Sequence, residues 1–209
     1  TSVTGVQTCA LPICYSDVFA QKNKDAYSEL LELFKQWRNF EQPPLLNGVP
    51  NYTDACFISR QPEFIKLNNW LLKIDTAGWS IKNKVDWRIV WAEMNGYDFN
   101  RKILKPWQRD PAFYKVLWSS RSDVPAHEGP TNHMVIDLWK YNFPLSSNEK
   151  IALINSLKLI PTFNKQAKIN LTGNAKELWI AGIRDIRTQS EELAEILIKP
   201  GCANNKDLV

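Results

Sequence analysis

From Asp25 onward, apolar residues recur at three- and four-residue steps. Tyr27, Leu30, Leu31, Phe34, Trp37 and Phe40 fall on one stripe, the spacing of an amphipathic helix. Glu41-Gln42-Pro43-Pro44 closes it, because a proline disfavours helical backbone in the residue before it. Leu45 to Asn51, containing Asn47-Gly48 and Pro50, reads as a turn-rich connector. Thr53 is placed to cap the next helix, with Asp54 in its first turn. Pro62 reads as the first turn of a further helix through Phe64, Leu67, Leu71 and Ile74. After the break at Asp75-Thr76-Ala77-Gly78, helical spacing resumes from Trp79 to Met94 through Ile81, Val85, Ile89 and Ala92.

Asn95 to Pro144 is less regular. Aromatic residues cluster there around Pro106, Pro111, Pro125 and Pro130, which predicts short helices and long loops packed on a helical frame. Ser146-Ser147-Asn148-Glu149 has the form of a capping box and opens a helix through Ile151, Ile154, Leu157 and Leu159. Pro161 restarts it, and Leu171-Thr172-Gly173 closes it. The last helix has the clearest pattern, with Ala175, Leu178, Trp179, Gly182, Ile183, Ile186, Leu193, Ala194 and Leu197 on a stripe interrupted only by Ser190. No alternating run of useful length and no internal repeat is visible. The expected fold class is all-α.

Residues 1–13 stand apart, carrying no charge, no aromatic residue and no period. The run VTGVQTCALPI closely resembles the translation of a common short-read sequencing-library adapter, so this stretch is expected to be foreign to the native protein. A disordered native N-terminus is the alternative. If the gene was read from fragments, the native chain is expected to extend past both ends. Residues 14–20 read as the remnant of a signal peptide, since Val18-Phe19-Ala20 before Gln21 fits the small-residue rule at a cleavage site. That pattern favours export, to the periplasm or the medium. A single helical domain over residues 21–198 and a tail at 199–209 complete the expected organisation.

Composition narrows the function classes. The chain has 209 residues, 44% hydrophobic and 23% charged, which is ordinary globular usage. Lys and Arg number 26 against 22 Asp and Glu, and the net charge of +4 is spread without a basic run. A nucleic-acid partner is therefore not expected. No apolar run is long enough to span a bilayer. Cys56 and Cys202 fit neither a zinc ribbon nor a disulfide framework, and Cys56 reads as a small core residue. Asn51-Tyr52-Thr53 and Asn170-Leu171-Thr172 match glycosylation acceptors, a pattern with meaning only in a eukaryotic secretory route.

The chain holds two histidines, His127 and His133, six apart with Gly129-Pro130 between them. A helical zinc motif needs its histidines one turn apart so that both face one metal. Here a metal would require a loop and a carboxylate from elsewhere. An ordered loop with a hydrogen-bonded histidine is the competing reading. Carboxylates at Asp86, Glu93, Asp98, Asp110, Asp123 and Glu128 lie near aromatic residues, and Asp86 and Glu93 are two helical turns apart, so they share one face. Acid–base chemistry and ion pairs with Arg88, Arg101 or Arg109 both account for such residues. Trp87, Trp91, Trp107, Trp118, Trp139 and Trp179 sit among apolar residues and read as core rather than as a sugar-stacking platform. There is no glycine-rich phosphate loop, nucleophile elbow or cysteine–histidine pairing of promise.

An ordered set of short motifs adds to this. Ile74-Asp75, Gly78-Trp79, Val85-Asp86, Ala92-Glu93-Met94-Asn95-Gly96, Asp98-Phe99, Pro106-Trp107 and Asp110-Pro111-Ala112-Phe113-Tyr114 come first. Ser122-Asp123-Val124-Pro125, Glu128-Gly129-Pro130, His133, Asp137-Leu138-Trp139 and Leu171-Thr172-Gly173-Asn174-Ala175 follow, with Gly48-Val49-Pro50 and Tyr52-Thr53 as an opening. The set resembles the N-terminal part of the bacterial domain of unknown function 885 family. The resemblance implies a largely helical protein of several hundred residues, related to zinc metallopeptidases of the gluzincin kind. In that family the metal motif is of the type H-E-x-x-P-G-H and lies beyond the region matched here. It therefore implies a hydrolase whose zinc, zinc ligands and general base come from downstream, whose substrate is a peptide, and whose N-terminal part packs against a C-terminal half. No catalytic residue and no metal ligand carries over to this chain. Asp86, Glu93, Glu128 and His133 are the candidates for lining the substrate cleft. The rival expectation is a non-catalytic helical binding module.

Overall fold

The computed structural model describes residues 15–121 and 132–197, with side chains from 26 to 121 and from 132 to 195. The fold is all-α. Its helices are α1 (Tyr15–Glu41), α2 (Asp54–Lys73), α3 (Ile81–Phe99), the short α4 (Pro106–Arg109), α5 (Ser147–Leu157), α6 (Ile160–Asn170) and α7 (Lys176–Leu197). The described residues group into two compact units. One comprises residues 15–40 and 63–95, the other 41–62, 96–121 and 132–197.

In the first unit, Leu30, Leu33, Trp37 and Phe40 of α1 are buried, as are Phe64, Leu67 and Leu71 of α2 and Val90 and Met94 of α3. Trp37 stacks on Phe40 at 5.7 Å and meets the Phe64 ring edge-on at 6.3 Å. Truncating a ring as enclosed as Trp37 costs about 3–5 kcal/mol. Two expectations change here. α1 begins ten residues before Asp25, because no glycine or proline interrupts the chain between Tyr15 and Glu41. α3 is a helix as expected, but its inward face is the other one. Ile81, Val85 and Ile89 are 84%, 49% and 50% exposed, whereas Val90 and Met94 are enclosed. Both rows of α3 are apolar, so periodicity alone does not choose between them.

Pro62 does not start a helix but lies inside α2. A proline removes one i→i−4 bond and crowds the carbonyl a turn earlier. The helix runs on regardless, because Phe64, Leu67 and Leu71 on the next turns are buried. The boundary between the two units falls at this proline.

The second unit opens with a tight hairpin where a connector was expected. β1 (Leu45–Leu46) pairs antiparallel with β2 (Val49–Pro50) around Asn47-Gly48. Both turn residues have positive φ, 55° and 85°, the conformation that Asn-Gly adopts most readily in two-residue hairpins. Thr53 Oγ1 accepts the Cys56 N–H at 3.3 Å and so caps α2. The capping box at Ser146 and Glu149 is present in full, and Pro161 sits in the first turn of α6. Between these helices the chain is irregular. A 3-10 turn at Pro111–Tyr114 leads into β3 (Leu117–Trp118), which pairs in parallel with β4 (Ile136–Asp137). A second 3-10 turn, Leu138–Lys140, follows.

The core of this unit gathers Tyr52, Trp107, Phe113, Tyr114, Val116, Leu117 and Phe163. Phe57 stacks on Trp107 at 3.9 Å. Irregular backbone inside such a core leaves peptide groups without a ladder, and each needs another partner. Buried amide side chains supply them. Gln189 Oε1 on α7 accepts the N–H groups of Val116 at 2.6 Å and Leu117 at 3.1 Å. Gln166 on α6 accepts the Tyr52 N–H at 2.6 Å and donates to the Pro50 carbonyl at 3.0 Å. Asn132 Nδ2 donates to the carbonyls of Phe113 and Lys115, at 2.6 and 2.9 Å. Asn170 Nδ2 donates to the Tyr52 carbonyl at 2.9 Å and to the Tyr114 hydroxyl at 3.0 Å.

Two glycines allow close approach. A Cβ on Gly182 of α7 would stand 2.7 Å from the Ala112 nitrogen, and one on Gly173 would stand 2.9 Å from the Gln108 carbonyl oxygen. The Gly173 N–H donates to that same oxygen at 2.8 Å. Gln189→Ala should therefore lower stability by about 1–3 kcal/mol by stranding buried N–H groups. Gly182→Ala should cost a similar amount by overpacking α7 against the 3-10 turn. Denaturant midpoints of the two variants check both. A midpoint for Gly182→Ala equal to that of the unmodified chain, or above it as helix propensity alone predicts, would contradict the close approach.

Candidate functional site

The structure gives separate surroundings to the residues named as cleft candidates. Asp86 and Glu93 lie on α3 in the first unit, and both accept hydrogen bonds from α1. Tyr27 Oη donates to Asp86 Oδ2 at 2.8 Å. Trp37 Nε1 and Arg38 donate to Glu93 Oε2 at 3.3 and 3.4 Å. Each carboxylate thus ties two helices together, and the Tyr27 hydroxyl is pushed up from its ordinary value first by that bond to Asp86 and then by burial. Glu128, together with His127 and Asp123, lies outside the described residues.

His133 belongs to the second unit, just before β4, and is exposed. Its backbone N–H donates to Tyr52 Oη at 2.7 Å, and its Nδ1 lies 2.9 Å from the same oxygen. Burial pushes the Tyr52 hydroxyl far above its ordinary value, with Tyr114 adding to it, while the His133 N–H and the charge of Arg60 work against that. The phenol therefore keeps its proton. With its oxygen accepting the backbone N–H, that proton is available to Nδ1, and in the neutral imidazole such a bond places the ring proton on Nε2. Tyr52→Phe should remove that bond. The measurement is the nitrogen-15 shift of His133, with Nδ1 unprotonated in the unmodified chain and tautomers mixed in the variant. An Nδ1–H signal in the unmodified chain would overturn the assignment.

Asp98 and Asp110, the other described candidates, are engaged within the fold. Burial alone would raise Asp98, but hydrogen bonds from Lys102 and from Arg101, the latter at 2.9 Å, outweigh it and hold the carboxyl below its ordinary value. Asp110 caps the Pro111–Tyr114 turn by accepting the Ala112 N–H at 2.9 Å. Burial pushes its carboxyl up, the Ala112 N–H opposes this, and the charge of Asp185 adds to it. A raised carboxyl takes up its proton at higher pH in the folded chain than in the unfolded one. Its contribution to stability therefore grows as pH falls from the folded value toward the unfolded value of about 3.9. Asp110→Asn keeps the capping oxygen and removes the titration. Denaturant midpoints against pH should rise less toward acid in this variant than in the unmodified chain, and parallel curves would refute the assignment.

Among the described residues no three His, Cys, Asp or Glu side chains gather as a ligand set, so zinc does not fit them and no hydrolytic step is assigned to them. Cys56 is a free buried thiol, pushed up by burial. The side chains of Asn51 and Asn170, both in glycosylation patterns, are engaged internally, Asn51 with Thr53 and Asn170 with Tyr52 and Tyr114. No helix among the described residues is long and apolar enough to cross a membrane.

The tryptophan reading needs correction. Of the six expected in the core only Trp107 is enclosed, while Trp91, Trp118 and Trp139 are 39%, 36% and 41% exposed. Lys115 Nζ lies 4.9 Å from the Trp118 ring centre and Lys140 Nζ 5.2 Å from that of Trp139. Trp139 also borders a surface cavity of about 160 Å³ that sequence reasoning did not locate. Ser119, Leu138, Tyr141, Phe143, Glu192 and Glu195 complete its lining. Only the alternation of aromatic and other residues in Trp139-Lys140-Tyr141-Asn142-Phe143 hints at it.

No family model matches the chain, and comparisons with curated proteins and with solved structures return no match.

Proposed function

We propose that this chain is the N-terminal helical part of a bacterial, exported, zinc-dependent peptidase-like protein, without a metal motif of its own and inactive alone. The reading rests on one observation, the ordered set of short motifs between Gly48 and Ala175 that resembles the domain of unknown function 885 family. The places these motifs take are compatible with it. Pro106-Trp107 starts α4 and fills the core, Asp110-Pro111 caps and opens a turn, and Gly173 permits a backbone contact with Gln108. Such motifs specify a frame, and chemistry would come from residues downstream. In the complete protein, zinc held by downstream residues would supply the hydrolytic chemistry. The exposed apolar row Ile81, Val85 and Ile89 on α3 supports a role for this part in packing against further protein.

A second reading is a non-catalytic helical binding module, favoured by the aromatic cavity beside α7. Two measurements separate them. The open reading frame, sequenced from source DNA past the codon for Val209, should continue into an H-E-x-x-P-G-H segment. The purified chain should show neither stoichiometric zinc nor peptide hydrolysis. A stop codon directly after Val209 leaves the binding module as the reading, and zinc-dependent cleavage by the chain alone overturns both.

A further inference from the structure

We propose that the cavity beside α7 is a recognition site for an alkylammonium group, the positively charged head of a lysine side chain or of a quaternary amine. Three aromatic rings, Trp139, Tyr141 and Phe143, line it together with two carboxylates, Glu192 and Glu195. Aromatic faces attract a cation through the ring quadrupole, and they do so most strongly where water is displaced. A carboxylate at the same site supplies the countercharge. Its volume of about 160 Å³ suits one small headgroup rather than an extended ligand.

Glu192 carries the argument furthest. Ser119 Oγ donates to its Oε1 at 2.7 Å and fixes the carboxylate. Its Oε2 is closed off from solvent and has no hydrogen-bond partner among the described residues. A shielded, unsatisfied carboxylate oxygen is costly in a folded protein, and a cation held in the adjoining cavity would offset that cost through its charge. The Trp139 ring already receives a cation, Lys140 Nζ at 5.2 Å, but Asp137 neutralises that lysine at 2.5 Å. The site is separate from the peptidase reading and stands whether or not that reading does.

The test uses the whole chain and three small probes. Choline presents a quaternary ammonium, N-acetyl-lysine methylamide presents a primary ammonium in a peptide setting, and 3,3-dimethylbutan-1-ol is the neutral counterpart of choline. Titrations are followed at the indole N–H resonance of Trp139 by heteronuclear NMR. At least one of the two cations should shift it saturably at millimolar concentration, with a response to choline alone pointing to a free amine and a response to the lysine probe to a peptide. Glu192→Gln keeps the shape of the residue and its bond to Ser119, and should weaken that cation about tenfold. The dispersion of the remaining amide signals shows whether the variant is folded. Equal binding of the neutral alcohol, no saturable shift with either cation, or an unchanged affinity in folded Glu192→Gln each overturns the proposal.

Discussion

Peptide groups buried outside helices and sheets set the terms for the second unit. Between α3 and α5 the described residues form short helical turns of at most five residues and a parallel ladder two residues long, yet Val116, Leu117 and Phe113 are at most 5% exposed. Their N–H and C=O groups cannot reach water, so each must be paired or cost stability. Gln189 on α7 and Asn132 at the strand entry meet this need there, and Gln166 and Asn170 on α6 meet it for the backbone of Pro50 and Tyr52. The constraint is asymmetric: a formed bond contributes modestly, whereas a missing one costs the full desolvation of its partner. These amides therefore act less as glue than as keys that admit one arrangement of the irregular segment.

The same constraint places the cavity. Gln189 holds α7 to the backbone of β3, and the bare Cα of Gly182, two turns earlier, lets the helix come against the Pro111–Tyr114 turn. With both points fixed, Glu192 lies one turn beyond Gln189 and faces Ser119, the residue that follows β3. The bond between Ser119 and Glu192 is thus a consequence of register set elsewhere. A shift of α7 by one residue would break the Gln189 pairings, bring a side chain into the space that Gly182 leaves open, and pull Glu192 from Ser119 in one step.

Helix positions were largely legible in the sequence because caps and breakers act locally. The capping box at Ser146, the stop before Pro43 and the proline at α6 all work through backbone geometry within a few residues. Which face turns inward was less legible. α3 carries apolar residues on two rows, so burial of Val90 and Met94 rather than Val85 and Ile89 is decided by tertiary partners. The tryptophans fail for a related reason, since an apolar neighbourhood in sequence does not place Trp118 or Trp139 in the core. The amides had a signal that periodicity arguments pass over. Gln189 falls between Ile186 and Leu193 on the α7 stripe, and Gln166 lies with Phe163 and Ala167 on the buried face of α6; an amide inside an apolar row is a sign of buried backbone that needs pairing.

The candidate site was legible only in part, because chemistry-bearing residue types serve structure as readily as function. Asp86 and Glu93 share a helical face, as their spacing requires, but that face receives Tyr27, Trp37 and Arg38 of α1. The bond from Tyr52 fixes His133 in a similar way. The two carboxylates in the cavity gave no comparable sequence signal. Glu192 and Glu195 lie on the polar side of the clearest amphipathic helix, where acidic residues ordinarily meet only solvent. What separates Glu192 from a solvated glutamate is one hydroxyl and three rings, and those come from Ser119 and the run from Trp139 to Phe143, distant in sequence. A site assembled this way leaves no motif, so the closed-off oxygen of Glu192 becomes visible only once the fold brings its neighbours together.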